Sequence, residues 1–505
     1  MDKKNFVIVN LGVSVLLQIV TFISGFILPK FYLIYYGSVV NGLVSSITQY
    51  LGFITFAECG IGAVIQSTLY RPLANKDQIE ISKIMISAEK FFKKLGYILI
   101  WYVIILMIIY PSMINDKFSW LYTVSLIFVI SISTFAQYYF SMAYKLLLSA
   151  DQLGYIQMGL QIIVIILNTF FSVFLIKKGY SIQSVKLFAA IIFLIQPVGL
   201  HFYIKKYYNL DMKLELKEEP IKQKWNGLSQ HIAAVVSSRV DIIVLTFYSL
   251  ADVSVYNVYF LAVYGVRFAI EIVINAFQPF LGNIYVKQEE LLKQIFLFWE
   301  RGVHALVTLL FNCTGILILP FVMVYTKGIT DINYIVPNFS ILITVAYAFF
   351  CLRLPYTTMI KIAGHYRETQ WSCLIEAGIN IIFSVLLVSK WGLYGVAVAT
   401  VVSMIYRTLY CVFYLRKNIL FRPIKFYIKN LIVDIIATGI CIFLTYNIKL
   451  QTLTWRSWFI TAIEVGIICL ASVLFVNYIC YRKMIHELFN YIKKRRRCSS
   501  DQKKF

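Results

Sequence analysis

A chain of 505 residues that is 60% hydrophobic and only 14% charged is no soluble domain, where roughly a quarter of residues carry charge. With mean hydropathy +0.76 and long apolar runs throughout, it reads as an all-α polytopic membrane protein. The formal net charge of +23 excludes little by itself, because the basic residues sort by membrane side and call for no nucleic-acid partner.

The apolar runs number about fourteen, each long enough to cross the hydrocarbon core. Six of them (6–35, 39–70, 95–113, 119–143, 154–176 and 183–204) make an N-terminal lobe, 1–204. The first continues past Gly25 and Pro29 without a cleavage site, so it is expected to be a retained helix rather than a signal peptide. Between the second and third, Ile79–Lys94 has the pattern of an amphipathic helix on the membrane surface. The longest polar stretch lies within a connecting loop, 205–224. Six further runs (226–248, 254–280, 298–325, 333–358, 370–388 and 392–415) make a C-terminal lobe, 225–415. Two appended helices, 426–446 and 457–481, fall in 416–481, and the tail 482–505 is basic and amphipathic, suited to an anionic inner leaflet. The runs 41–71 and 257–287 match in length and setting, a weak sign of a parallel repeat.

Lysine and arginine fix the orientation. One alternate set of connections holds 34 of them and the other nine, with Arg239, Arg267, Arg353 and Arg407 inside spans. The richer side is cytoplasmic, which places both termini inside. External connections are short, as at Ser249–Asp252 and Lys390–Trp391, and leave no room for an external catalytic domain. The nine cysteines lie singly, with neither CxxC nor histidine at ligand spacing, so no disulfide framework and no metal are expected.

Charges within membrane-length runs carry the functional information, because each costs about 2.5–3.5 kcal/mol on insertion scales unless it meets a partner or water. Glu58 shares its span with Gln49 and Gln66. Arg239 and Asp241, two apart in SSRVDIIV, cannot face each other, and His231 lies on the arginine's face. Arg267 and Glu271 are an i,i+4 couple. Arg353 precedes Pro355, and Glu376, Asn380 and Ser384 recur every fourth residue as a polar stripe expected to line a pathway. Arg407, and likewise Glu300, Arg301 and His304, sit near inner span ends and are expected to snorkel. Asp434 and Glu464 are too far apart in depth to pair with each other. Prolines 29, 111, 197, 279, 320 and 355 are expected to bend or end their helices.

Three deep arginines, 239, 267 and 353, imply an anionic cargo, since the guanidinium fork grips phosphate or carboxylate at two points. Asp241, Glu271, Glu58 and Glu376 would moderate that charge or bind a coupling H⁺ or Na⁺; no other cofactor is implied. No paired carboxylates, nucleophile–base pair or metal-ligand set argues for an enzyme.

Over LRLPYTTMIKIAGHY, IEAGINIIFS, GLYGVAVAT with Tyr406-Arg407, SSRVDIIVLTFYSLADVSVYNVY and LPKFYLIYYGSVVNGL, the chain resembles the Wzx-type polysaccharide flippases. These belong to the multidrug/oligosaccharidyl-lipid/polysaccharide exporter superfamily. The resemblance implies two six-helix lobes around a central cavity plus two C-terminal helices, in a bacterial plasma membrane. The implied cargo is a polyprenyl-diphosphate-linked anionic oligosaccharide moved outward by alternating access for capsule, O-antigen or exopolysaccharide assembly. Membrane lipids, a polysaccharide polymerase and glycosyltransferases are the implied partners. Competing readings are a drug or metabolite antiporter of the same superfamily, a flippase for the peptidoglycan precursor, and a membrane glycan polymerase or ligase.

Overall fold

The computed structural model describes residues 3–58, 61–114, 118–214, 228–287 and 289–501, and every element among them is helical. That is what lipid demands of such a sequence: with no water to satisfy N–H and C=O groups, each apolar run closes its own hydrogen bonds. Twelve described helices are long and apolar enough to cross a membrane. The first of these, Val9–Glu58, holds most of the first expected span and the start of the second, joined at a kink, while the second ends in Ile61–Asn75; Leu228–Tyr248, at 21 residues, is a further long helix outside the twelve.

Two compact units emerge, 1–255 with 328–332, and 256–327 with 333–505. The division falls at Val255/Tyr256 and not in the 205–224 loop, so the helix bearing Arg239 and Asp241 packs with the first unit. Residues 215–227 of that loop lie outside the described residues.

The first unit holds α1 (Lys3–Leu51), α2 (Thr55–Glu58), α3 (Ile61–Asn75), α4 (Gln78–Met113), α5 (Trp120–Ala136), α6 (Met142–Ala150), α7 (Gly154–Lys177), α8 (Ile182–Phe193), α9 (Ile195–Tyr207) and α10 (Leu228–Tyr248). Asp77, Ser119 and Ser181 cap α4, α5 and α8, each side chain accepting the N–H three residues on. The bend in α1 is at Gly37 (φ +83), a conformation that glycine adopts without penalty, and not at Pro29, which lies within continuous helix. Asp331 holds the bend, its carboxylate accepting from Ser38 N–H (2.6 Å) and Ser38 Oγ (2.8 Å). One π-helical turn, Gln137–Ser141, joins α5 to α6.

Ile79–Lys94 does not form a separate surface helix. It is the start of the 36-residue α4, and Ile81, Ile84, Met85, Ala88 and Phe92 are buried in the unit's core. The apolar face that suggested a lipid surface is used for protein packing, which amphipathicity alone cannot distinguish.

The second unit takes α11 (Leu250–Lys287) from Tyr256 onward, with α12 (Glu289–Tyr325), α13 (Pro337–Leu352), α14 (Leu354–Ile362), α15 (Tyr366–Trp391), α16 (Leu393–Asn418), α17 (Lys425–Thr445) and α18 (Trp455–Asp501). Proline sets two interruptions: α8 and α9 part just before Pro197, and α13 and α14 part at Arg353, with Pro355 in the first turn of α14. Pro111, Pro279 and Pro320 lie inside continuous helices. Gly392 alone connects α15 to α16, at φ +52 and ψ −129, so the two helices run back along each other. The helix α18 continues into the basic tail, whose side chains beyond residue 482 lie outside the described residues.

Candidate functional site

In the second unit the interruption at Arg353 turns one helix into two and leaves the arginine at the joint. Its Nη1 donates to Glu376 Oε1 on α15. The other carboxylate oxygen faces Arg407 of α16, whose Nε is 3.6 Å away. Glu376 is thus a buried anion bridged by two arginines, each nearly buried itself (12% and 9% side-chain exposure). Arg407 does not snorkel: it also donates to Ser372 Oγ, Thr369 C=O (3.4 Å) and Cys373 Sγ (2.9 Å), all on α15. A guanidinium has five donors, and here the facing helix supplies enough acceptors to hold it in the protein.

Arg267 of α11 joins this group through an aromatic ring. Its guanidinium lies 3.9 Å from the Phe350 centroid and that of Arg353 lies 4.4 Å from the same ring. Arg267 Nε donates to Glu271 Oε1 at 2.9 Å, the pairing implied by their spacing. The ensemble therefore holds three guanidinium groups, 267, 353 and 407, against two carboxylates, 271 and 376.

The polar stripe of α15 continues from Glu376 along the face that meets α16. Asn380 and Ser384 are buried, with Ser384 Oγ donating to Asn380 Oδ1 at 3.1 Å. In this structure the stripe is enclosed by protein, where the sequence suggested a pathway lining.

Arg239 belongs to the other unit. Its Nη1 donates to Gln49 Oε1 (2.8 Å), and its guanidinium lies against Gly52, where a side chain on residue 52 would collide with it. Its Nε is buried with no hydrogen-bond partner among the described residues. The helix α10 packs against α2, which carries Glu58, and Glu58 accepts a long hydrogen bond (3.5 Å) from Tyr138 in the π-helical turn. Asp241 is buried on α10, two residues from Arg239. Arg267 and Arg353 thus share the Phe350 ring in the second unit, and Arg239 belongs to the first. The side chain of His231 lies outside the described residues.

Sequence reasoning missed Arg407 as a member of the group and expected Glu300, Arg301 and His304 to reach the membrane surface. All three of the latter are buried, at 0%, 3% and 0% exposure. The signal that would have found them is Asp434, an acid left without a partner on α17. It is paired with Arg301 (2.8 Å) and His304 (2.6 Å) of α12. Glu464, the other unassigned acid, is exposed on α18.

No protein-family model matches this chain, and neither does any curated protein sequence. Solved structures do. A lipid II flippase MurJ in an inward closed conformation superposes with a TM-score of 0.70 at 17% identity, covering 93% of this chain and all of the other. An inward-facing multidrug resistance MATE family transporter of the MOP superfamily gives 0.59 at 12% identity, covering 80% and 97%. A MATE in a bent conformation gives 0.50 at 14% identity, covering 80% and 94%. The chain therefore has the all-helical fold of these solved structures and, with twelve described helices long and apolar enough to cross a membrane, is a multi-pass membrane protein.

Proposed function

We propose that the protein is a flippase that carries a polyprenyl-diphosphate-linked anionic oligosaccharide from the inner to the outer leaflet of a bacterial plasma membrane by alternating access. It would serve assembly of a capsule, O-antigen or exopolysaccharide, beside a polymerase and glycosyltransferases of that pathway. The observation that carries the reading is a surplus of positive charge within the second unit: Arg267 and Arg353 on the Phe350 ring and Arg407 on the far side of Glu376, opposed among the described residues by Glu271 and Glu376. Leaving a cation over inside a membrane protein is costly, and a diphosphate repays it with two-point, charge-assisted contacts. The buried Nε of Arg239, without a hydrogen-bond partner among the described residues, offers one more donor to an anion. Membrane potential, negative inside, would favour outward movement of each anionic charge by about 2.3 kcal/mol per 100 mV.

A similarity that spans 93% of the chain in the flippase comparison and 80% in the transporter comparison supports the lipid-linked cargo over a soluble drug. Asp241, Glu58, Glu271 and Glu376 are the acids through which an H⁺ or Na⁺ gradient would drive the cycle. Complementation tests the reading. In a strain lacking its own flippase, the wild-type chain restores surface polysaccharide and Arg353→Ala, present at the same level in the membrane, does not. Full export by Arg353→Ala would refute the cationic site.

A further inference from the structure

The second unit encloses a chain of hydrogen bonds that this transport reading leaves unused. It begins at Arg422, in the connection between α16 and α17, whose Nη1 donates to Glu300 Oε2 and Nη2 to Glu300 Oε1, both at 2.6 Å. Tyr356 Oη of α14 lies 2.6 Å from Glu300 Oε1. The Nε2 of His304 on α12 is 3.0 Å from the same phenol oxygen, and its Nδ1 is 2.6 Å from Asp434 Oδ2 on α17. Arg301 Nη1 meets Asp434 Oδ1 at 2.8 Å, and Arg301 Nε donates to Asn477 Oδ1 of α18 at 2.6 Å.

The protons in this chain can be counted. Glu300 is gripped on both oxygens by a guanidinium fork, which an ionised carboxylate accepts and a carboxylic acid does not. Tyr356 has one proton to give, and its bond to that carboxylate uses it. Toward His304 the phenol oxygen can then only accept, so Nε2 must carry hydrogen. Asp434, paired with Arg301, is ionised too and accepts from Nδ1. With every bond made, His304 is therefore doubly protonated.

We propose that His304 is an exchangeable proton-binding site set between Asp434 and Tyr356. Two opposing demands make the proton exchangeable. With it, both ring nitrogens of His304 donate and Tyr356 keeps its bond to Glu300, but Arg301, Arg422 and His304 outnumber Glu300 and Asp434 by one charge. Without it, the charges balance, but Nε2 turns from donor to acceptor. Nε2 and Glu300 then compete for the single proton of Tyr356. The remaining groups around the ring do not remove this conflict: Tyr427 of α17 stands edge-on at 6.1 Å, and Tyr481 of α18 donates to Asn430 Oδ1 beneath Arg301 and Lys429.

The consequence reaches the candidate cargo site through α14. The backbone N–H of Tyr356 bonds to the C=O of Arg353 at 3.1 Å, so a shift of Tyr356 on proton release is felt at the joint that carries Arg353. This last step rests on the transport reading, whereas the proton site does not.

The experiment is ¹⁵N NMR of the full chain, labelled at its five histidines and held in lipid nanodiscs, with the His304 signals identified by their loss in His304→Gln. The expected result is two protonated ring nitrogens near neutral pH, one of which releases its proton as pH rises. In Tyr356→Phe, which removes the acceptor at Nε2, release shifts to lower pH. An unprotonated ring nitrogen throughout, or a titration unmoved by Tyr356→Phe, would overturn the site. A transport pH profile identical in wild type and Tyr356→Phe would overturn the link to Arg353, whatever the NMR shows.

Discussion

At the scale of single residues, the account turns on Glu376. It is the shared partner of Arg353 and Arg407, so its charge does more than either arginine's alone to keep that region folded. Glu376→Gln leaves two buried guanidinium groups facing a neutral amide, and uncompensated buried charge of that kind costs about 3–5 kcal/mol. The expected outcome is a clear drop in the melting temperature of the purified protein, with partial recovery in Glu376→Gln/Arg407→Met; a double variant no more stable than the single one would contradict the bridging role. Arg353→Ala, by contrast, leaves Glu376 with Arg407, and is expected to fold while losing transport. Arg353→Lys is expected to recover only part of it, because an ammonium cannot present two parallel donors. Arg267→Ala strips Glu271 of its partner and is expected to lower protein abundance more than transport per molecule, as immunoblotting against surface polysaccharide would show. The buried charges themselves were legible in the sequence, since any ionisable residue in an apolar run is conspicuous. Their partners were not. Arg407 is 31 residues from Glu376 and Asp434 is 130 from His304, and only the packing of α15 on α16, and of α12 on α17, brings them together.

At the scale of helices, the sequence located the spans well because hydropathy and span length are local properties. It failed where a choice depended on what lies opposite. The amphipathic start of α4 found a protein core in place of a lipid surface, and the stripe of α15 is buried within the second unit. Glycine joints are the sharpest local determinants. Gly392 holds φ +52 with ψ −129, a region that side chains exclude, and it is the sole link between α15 and α16. Gly392→Ala is expected to cost roughly 1–3 kcal/mol and to loosen the hairpin that aligns Glu376 with Arg407. Thermal denaturation in detergent measures it, and a variant as stable as wild type would show that the joint relaxes freely. Gly37 is different, since Asp331 clasps the residue after it; Asp331→Asn should weaken that clasp without unfolding α1.

At the scale of the molecule, the orientation rests on the 34-to-9 bias of Lys and Arg between the two sets of connections. Asp211 is exposed in the 205–224 loop and reports on it. A single cysteine at 211 in a cysteine-free background is expected to resist an impermeant thiol reagent in intact cells and to react after permeabilisation. The most direct test reconstitutes the purified chain in vesicles with a fluorescent polyprenyl-diphosphate oligosaccharide, and follows how much becomes reachable by an impermeant quencher. The account predicts transbilayer movement by wild-type protein that is lost in Arg353→Ala and responds to an imposed H⁺ or Na⁺ gradient. Movement no faster than in protein-free vesicles, with the same preparation transporting an organic cation instead, would contradict it.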